Sequence, residues 1–376
     1  GCLARSAAQP RGSSRLQAKK PAVFSPFAAY PPPRSVLSTS HDGELNMSHN
    51  YILCARATKG GNFIPEPGPS RYLKVPKGSL PQPEHAIARN QWIKELRHAA
   101  TWGKDSRRDN QERGDLLVFV HGYNNDLKII RDRHEQLESD LKTAGFKGAV
   151  LTFCWPSDNK AINYLEDRHD AKRSAMQLVS DGIRILSAHQ TPNCTINIHL
   201  LGHSTGAYVI REAFDDADDT ALPNNAWSVS QIVFIAGDVS SGSMSEGNSS
   251  TDSLYRHCYR LTNYYSKHDS ALKLSNAKRI GLAPRVGRVG LPANAPRKAV
   301  DVDCPEYFQQ LNSDKAVRDT DQIARFGSFD HSWHIGNKVF IADLFETLKG
   351  DLDRSVIPTR KITDAGRLIL IRESST

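Results

Sequence analysis

The chain holds 376 residues, 39% of them hydrophobic and 24% charged, with a net charge of +8. That composition fits a soluble globular protein with one large core or two smaller ones, and an α/β domain of about 300 residues would use most of it. The longest strongly apolar run, near Leu116–Val120, is too short for a transmembrane helix, and no continuous apolar stretch marks a secretory signal, so a cytoplasmic setting without stable membrane insertion is expected.

The six cysteines, Cys2, Cys54, Cys154, Cys194, Cys258 and Cys304, are scattered and form no C-x-x-C pair. Neither a zinc ribbon nor a disulfide framework is indicated, and a reducing compartment suits them better. Two basic runs stand out. Residues 1–46 carry six Lys/Arg against Asp42 and Glu44, and Lys278, Arg279, Arg285, Arg288, Arg297 and Lys298 lie in a stretch without an acid. No aromatic or glycine stacking pattern accompanies either run, so solvated surface is expected and no nucleic-acid partner.

In chain order, residues 1–46 are rich in Ser, Pro, Ala and Arg and read as a flexible basic extension. A single domain is expected over 47–350, with a tail at 351–376. Tyr51–Ala57 reads as a first strand. Residues 58–113 read as irregular and polar, with a helix over Pro83–Ala100; this segment either caps the site or covers a sheet edge. Asp115–Val120 reads as a buried strand ending at His121-Gly122. Apolar positions at 127, 130, 134, 137 and 141 predict a helix over 125–143. Gly148–Cys154 is the next strand, closed by Trp155-Pro156-Ser157. Ala171, Ala175, Leu178, Val179, Ile183 and Leu186 share one face of a helix over 164–188. Strands follow at Ile196–Leu201, Gln231–Ala236 and Tyr259–Tyr265. A Gly/Pro/Arg-rich loop covers 277–298, and Asn337–Leu348 is a closing helix. Strands alternating with helices predict an α/β fold, a mostly parallel central sheet with helices on both faces.

The most informative motif is Gly202-His203-Ser204-Thr205-Gly206, a G-x-S-x-G pentapeptide between an apolar strand and an apolar-faced helix. A serine at such a turn is held strained with its hydroxyl projecting, and the following helix N-terminus favours a developing oxyanion. Serine needs a base, and the base an orienting acid. Asp269 follows the second strand after the elbow and is the preferred acid; Asp238, just past Ala236-Gly237, is the alternative. His331 and His334 lie downstream of both acids and before the closing helix, and His331, in the loop, is the preferred base. Their i,i+3 spacing also resembles half a metal site, but no H-E-x-x-H pattern completes it, so no metal is expected. The backbone N–H groups of Thr205 and Tyr123 are candidate oxyanion donors. His203, Asn124, Trp155 and Trp333 are candidate substrate-binding residues.

Together, Val118–Asn125, Trp155-Pro156-Ser157, Tyr164…Asp170, Gly202–Gly206, Tyr265-Ser266…Asp269…Ala271-Leu272 and Asp330–Trp333 resemble the α/β-hydrolase fold. More narrowly, over about residues 114–348 they resemble a largely uncharacterised bacterial branch of it. The resemblance implies a Ser-Asp-His serine hydrolase without metal or organic cofactor and implies little about substrate; a small-molecule ester of short to medium acyl length is expected because no long apolar lid is evident. An acyltransferase, lipase-like or amide-cleaving enzyme on the same residues, or a non-catalytic interaction module, would share the fold.

Overall fold

Along the strand that precedes His121, side chains alternate between two hydrophobic clusters. Leu116, Val118 and Val120 join one, and Leu117 and Phe119 the other. A strand buried on both faces must lie inside a sheet covered by helices on each side. The computed structural model describes residues 48–106, 110–157, 164–183, 194–219, 227–277 and 283–373, all within one unit spanning Leu45–Thr376.

The strands are β1 (His49–Lys59), β2 (Asn62–Pro76), β3 (Thr101–Asp105), β4 (Gln111–Val120), β5 (Ala149–Cys154), β6 (Cys194–His203), β7 (Val229–Ile235), β8 (Cys258–Tyr265), β9 (Ala299–Asp303), β10 (Arg360–Ile362) and β11 (Leu368–Leu370). They form one sheet in the order β10-β11-β9-β8-β7-β6-β4-β5-β1-β2, with β3 paired to β4. From β1 through β5, β4, β6, β7, β8 and β9 to β11 every neighbouring pair is parallel; only β1–β2, β3–β4 and β10–β11 are antiparallel. This is the α/β class expected from the sequence, a mostly parallel central sheet.

The helices are α1 (Arg89–Ala100), α2 (Leu127–Ala144), α3 (Tyr164–Gln177, running on into a π-helical turn at Leu178–Ile183), α4 (Thr205–Asp219), α5 (Ser249–Arg256), α6 (Ser270–Ala277), α7 (Val286–Val289), α8 (Pro305–Ser313), α9 (Lys315–Asp321), α10 (Phe329–Ser332) and α11 (Lys338–Lys349). Buried residues of α1, α3 and α4 fill one face of the sheet. Leu137 and Leu141 of α2, with α8 and α11, fill the other. Asp126 caps α2 by accepting from Ile129 N at 2.7 Å, and Asn337 caps α11 by accepting from Phe340 N at 2.9 Å.

Several stretches differ from the sequence reading. Residues 58–113 hold the expected helix, α1, but are not otherwise irregular: they also supply β2 and β3. Pro65, Pro67 and Pro69 recur at every second position of β2, which pairs only with β1 at the end of the sheet. An edge strand tolerates that spacing because the missing N–H groups can fall on the unpaired side. The expected tail at 351–376 contains the β10–β11 hairpin, which adds to β9 through Ile369 opposite Asp303. Arg360 anchors it: its guanidinium, buried like its partner, donates to Asp343 at 2.6 and 2.9 Å and to Thr347 Oγ1 at 2.6 Å. The strand β9 and the helices α5, α8 and α9 were also not foreseen, nor were α7, within the loop expected at 277–298, and α10, which holds His331 where a loop was expected. The expected extension at 1–46, Leu186, Lys278 and Arg279 lie outside the described residues. No helix among the described residues is long and apolar enough to cross a membrane.

Candidate active site

From β4 the chain passes to β5 on one side and then returns to β6 on the other, so the strand order reverses between β4 and β6. The carboxyl ends of strands at such a switch point leave a crevice where ligands bind in open α/β sheets. Three of the four non-glycine residues with positive φ among the described residues sit at such strand ends: Asn124 after β4 (57°), Ser204 after β6 (55°) and Ala236 after β7 (49°). Left-handed backbone is costly for residues with a Cβ, and its clustering here marks a site rather than scattered turns.

Ser204 is held in that conformation from both sides. Its N–H donates to Ile235 O at 3.0 Å, and its own carbonyl accepts from Asp238 N at 3.0 Å and Ala207 N at 3.1 Å. The helix α4 starts at the next residue, Thr205, whose N–H therefore has no carbonyl a turn earlier in the helix to bond. Gly206 lets this helix lie directly on β4: a Cβ there would stand 2.0 Å from Val120 O.

The turn after β4 closes on Ser204 from the other side of the crevice. A Cβ on Gly122 would stand 2.8 Å from Ser204 Cβ, so only glycine permits this approach. Hydrogen bonds lock the turn. Asn125 Nδ2 donates to Gly122 O at 2.6 Å, and the buried Arg56 donates to Asn125 O at 3.0 Å. His121 Nδ1–H donates to Gly122 O at 2.8 Å, while its Nε2 accepts from Trp155 N at 3.2 Å. Burial lowers the pKa of His121, which keeps the ring neutral in that tautomer.

His331 lies in α10, and its Nδ1 is 2.7 Å from Asp269 Oδ2. A carboxylate only accepts, so Nδ1 carries the proton and Nε2 is left as the acceptor. Asp269 is 1% exposed and divides its oxygens: Oδ2 takes His331, and Oδ1 accepts from Leu272 N at 2.8 Å, capping α6. Burial alone would lower the pKa of His331; the Asp269 carboxylate outweighs it with help from Asp238, against the opposing charge of Arg133, and the pKa is raised. The alternative acid, Asp238, points elsewhere: its Oδ1 lies 3.1 Å from Arg285 Nε, both side chains being buried.

The other candidates fall into two groups. His203 is buried beside the site, its ring centroid 5.0 Å from that of His331, and Asn124 is exposed at the turn. Trp155 and Trp333 are both 0% exposed. Trp155 stacks on His121 and donates from Nε1 to His121 O at 2.7 Å; Trp333 stacks on His334 within the core cluster of α8 and α11. Both side chains are packed in the interior. His334 is likewise buried, and among the described residues no group of three or more His, Cys, Asp or Glu could hold a metal ion. The sequence reading did not foresee the support from Arg56, Asn125 and Ser157, or Asp330, which accepts from Ser270 N at 2.9 Å beside Asp269. No periodicity separates Asn125, which braces the turn, from the exposed Asn124.

Residues 99–310 match the family described as alpha/beta hydrolase of unknown function (DUF900). The uncharacterized protein alr1448 of Nostoc sp. is 24% identical over 210 residues, covering 43% of this chain and 53% of its own length, so the chain spans about half of that relative. Among solved structures, a dienelactone hydrolase from Anabaena variabilis is 14% identical over 73% of this chain and 95% of its own, with a TM-score of 0.31. The metagenomic carboxyl esterase MGS0156 is 14% identical over 55% of this chain and 57% of its own, with a TM-score of 0.22.

Proposed function

The chain belongs to the family of alpha/beta hydrolases of unknown function, and from that premise we propose that it is a serine hydrolase that cleaves carboxylic esters of short to medium acyl length through an acyl-enzyme intermediate. The observation that carries this reading is the Asp269–His331 pair, 2.7 Å apart, with the His331 ring 5.0 Å from that of His203, the residue before a serine whose φ is 55°. In this reading Ser204 Oγ attacks the acyl carbonyl and passes its proton to His331 Nε2. Asp269 holds the ring in the tautomer that leaves Nε2 open and stabilises the imidazolium that forms. The N–H groups of Thr205 and Tyr123 receive the oxyanion, and the helix α4 adds its N-terminal dipole. His331 then returns the proton to the departing alcohol. Water, deprotonated by His331, attacks the acyl-enzyme and releases the acid. The scheme needs no metal or organic cofactor.

The test is hydrolysis of a p-nitrophenyl ester series by the wild-type chain and Ser204→Ala. Turnover by the wild type, with a loss of about 10⁴-fold or more in the variant, is expected. Equal rates in the two proteins would reject the mechanism.

A further inference from the structure

Arg133, on α2, is 4% exposed, and among the described residues no carboxylate pairs with it. A guanidinium withdrawn from water with only neutral acceptors is a costly arrangement for a fold to keep. Burial lowers its pKa to about 10, which leaves it charged at neutral pH. Its recipients all belong to the candidate site or its flank. NH1 donates to His203 Nδ1 at 3.0 Å, and NH2 donates to Ser332 Oγ at 3.2 Å and Phe326 O at 3.4 Å, while Nε finds no partner.

His203 precedes Ser204, and Ser332 follows His331. The bond from Arg133 settles which nitrogen of His203 carries the proton: Nδ1 must accept, so Nε2–H donates, and it lies 3.3 Å from His331 O. Ser332 Oγ stands 3.3 Å from the same Nε2 and closes the ring of contacts. One buried cation thus ties α2, the residue before the candidate nucleophile and the backbone of the candidate base into a single unit.

We propose that Arg133 is a positioning residue for the hydrolysis described above, acting through His203 and Ser332 to hold the imidazole of His331 in register with Ser204 and Asp269. The proposal rests on that reading. Its charge has a second effect. The groups facing His331 are Asp269 from the start of α6, Asp238 from the end of β7, Asp330 from its own helix, the two buried rings of His203 and His334, and Arg133 from α2. Arg133 is the cation that opposes protonation of His331, and so keeps the base available at lower pH.

The test compares Arg133→Met and Arg133→Lys with the wild type, using full-length protein, by steady-state p-nitrophenyl ester hydrolysis over a pH series and by thermal melting. Reaction of the wild type with a fluorophosphonate is followed alongside. Arg133→Met is expected to fold, to lose about 10- to 100-fold in kcat with KM held within about threefold, and to move the acid limb of kcat/KM to higher pH. Arg133→Lys, which keeps the charge and loses the fork, is expected to leave the acid limb near its wild-type position and to recover part of kcat. Arg133→Met with wild-type kcat and pH profile, or with activity lost only in proportion to unfolded protein, or unable to fold, would overturn the proposal. A wild-type chain that neither hydrolyses esters nor reacts with the fluorophosphonate removes the hydrolase reading and the proposal with it. A reactive wild type with indifferent Arg133 variants overturns the proposal alone.

Discussion

Asp269 shows how a single carboxylate serves the fold and the candidate chemistry together. Oδ1 caps α6 and Oδ2 holds His331, while Asp238, equally buried, is engaged by Arg285. Asp269→Asn is expected to lower kcat by about 10³- to 10⁴-fold, because the amide no longer fixes the tautomer that leaves Nε2 open. Asp238→Asn is expected to retain more than about a tenth of kcat, since its carboxylate acts on His331 only from a distance. The sign of the pH effect follows from the raised pKa of His331. The reaction needs the neutral ring, so kcat/KM falls as pH drops through a value above the ordinary 6.5. In Asp269→Asn the raising charge is gone, and the residual activity should show its acid limb at lower pH than the wild type. An acid limb that stays in place would contradict the pairing. Residues of this kind were legible because chemistry restricts them to Ser, His and Asp in a set chain order. Arg133, Arg56 and Asn125 were not, since nothing in a local sequence window says which carbonyl or ring a buried side chain will reach.

At the scale of elements, the strand–turn–helix around Ser204 was readable from its flanking apolar runs, and β4 to β8 from their hydrophobic content. The strand β2 was not, because its alternating prolines and polar residues carry the signal of a loop until its place at the edge of the sheet is known. The hairpin β10–β11 escaped notice for another reason: each strand has three residues, and its attachment depends on Arg360 reaching Asp343 on a different element. The elbow itself depends on helix α4 touching β4. Gly206→Ala would set a Cβ 2.0 Å from Val120 O, a backbone atom that cannot swing aside. The variant is expected to lose about 1–3 kcal/mol of stability in denaturant unfolding. An unchanged unfolding midpoint would show that α4 does not pack on β4 as described.

Across the whole molecule, buried histidines govern the response to acid. Burial lowers the pKa of His134 to about 4, and holds His203 and His334 well below 6.5. Below pH 6.5 the unfolded chain takes up protons that these folded rings refuse, so stability falls as pH drops. The share from His134, on the order of 3 kcal/mol, is fully lost near pH 4. His331 has the opposite sign: its raised pKa adds stability below 6.5 that is lost as pH rises through that pKa. With four buried rings lowered, His121 among them, against one raised, the melting temperature is expected to fall steadily between pH 6.5 and 4; a constant value over that range would contradict the buried, neutral state of these rings. The central claim, that Ser204 is an activated nucleophile, is tested most directly by treating folded protein with a fluorophosphonate and locating the adduct by mass spectrometry. A single adduct on Ser204 is expected, absent from Ser204→Ala and strongly slowed in His331→Ala; a folded wild-type chain that gains no adduct at Ser204 would show that the serine is not activated.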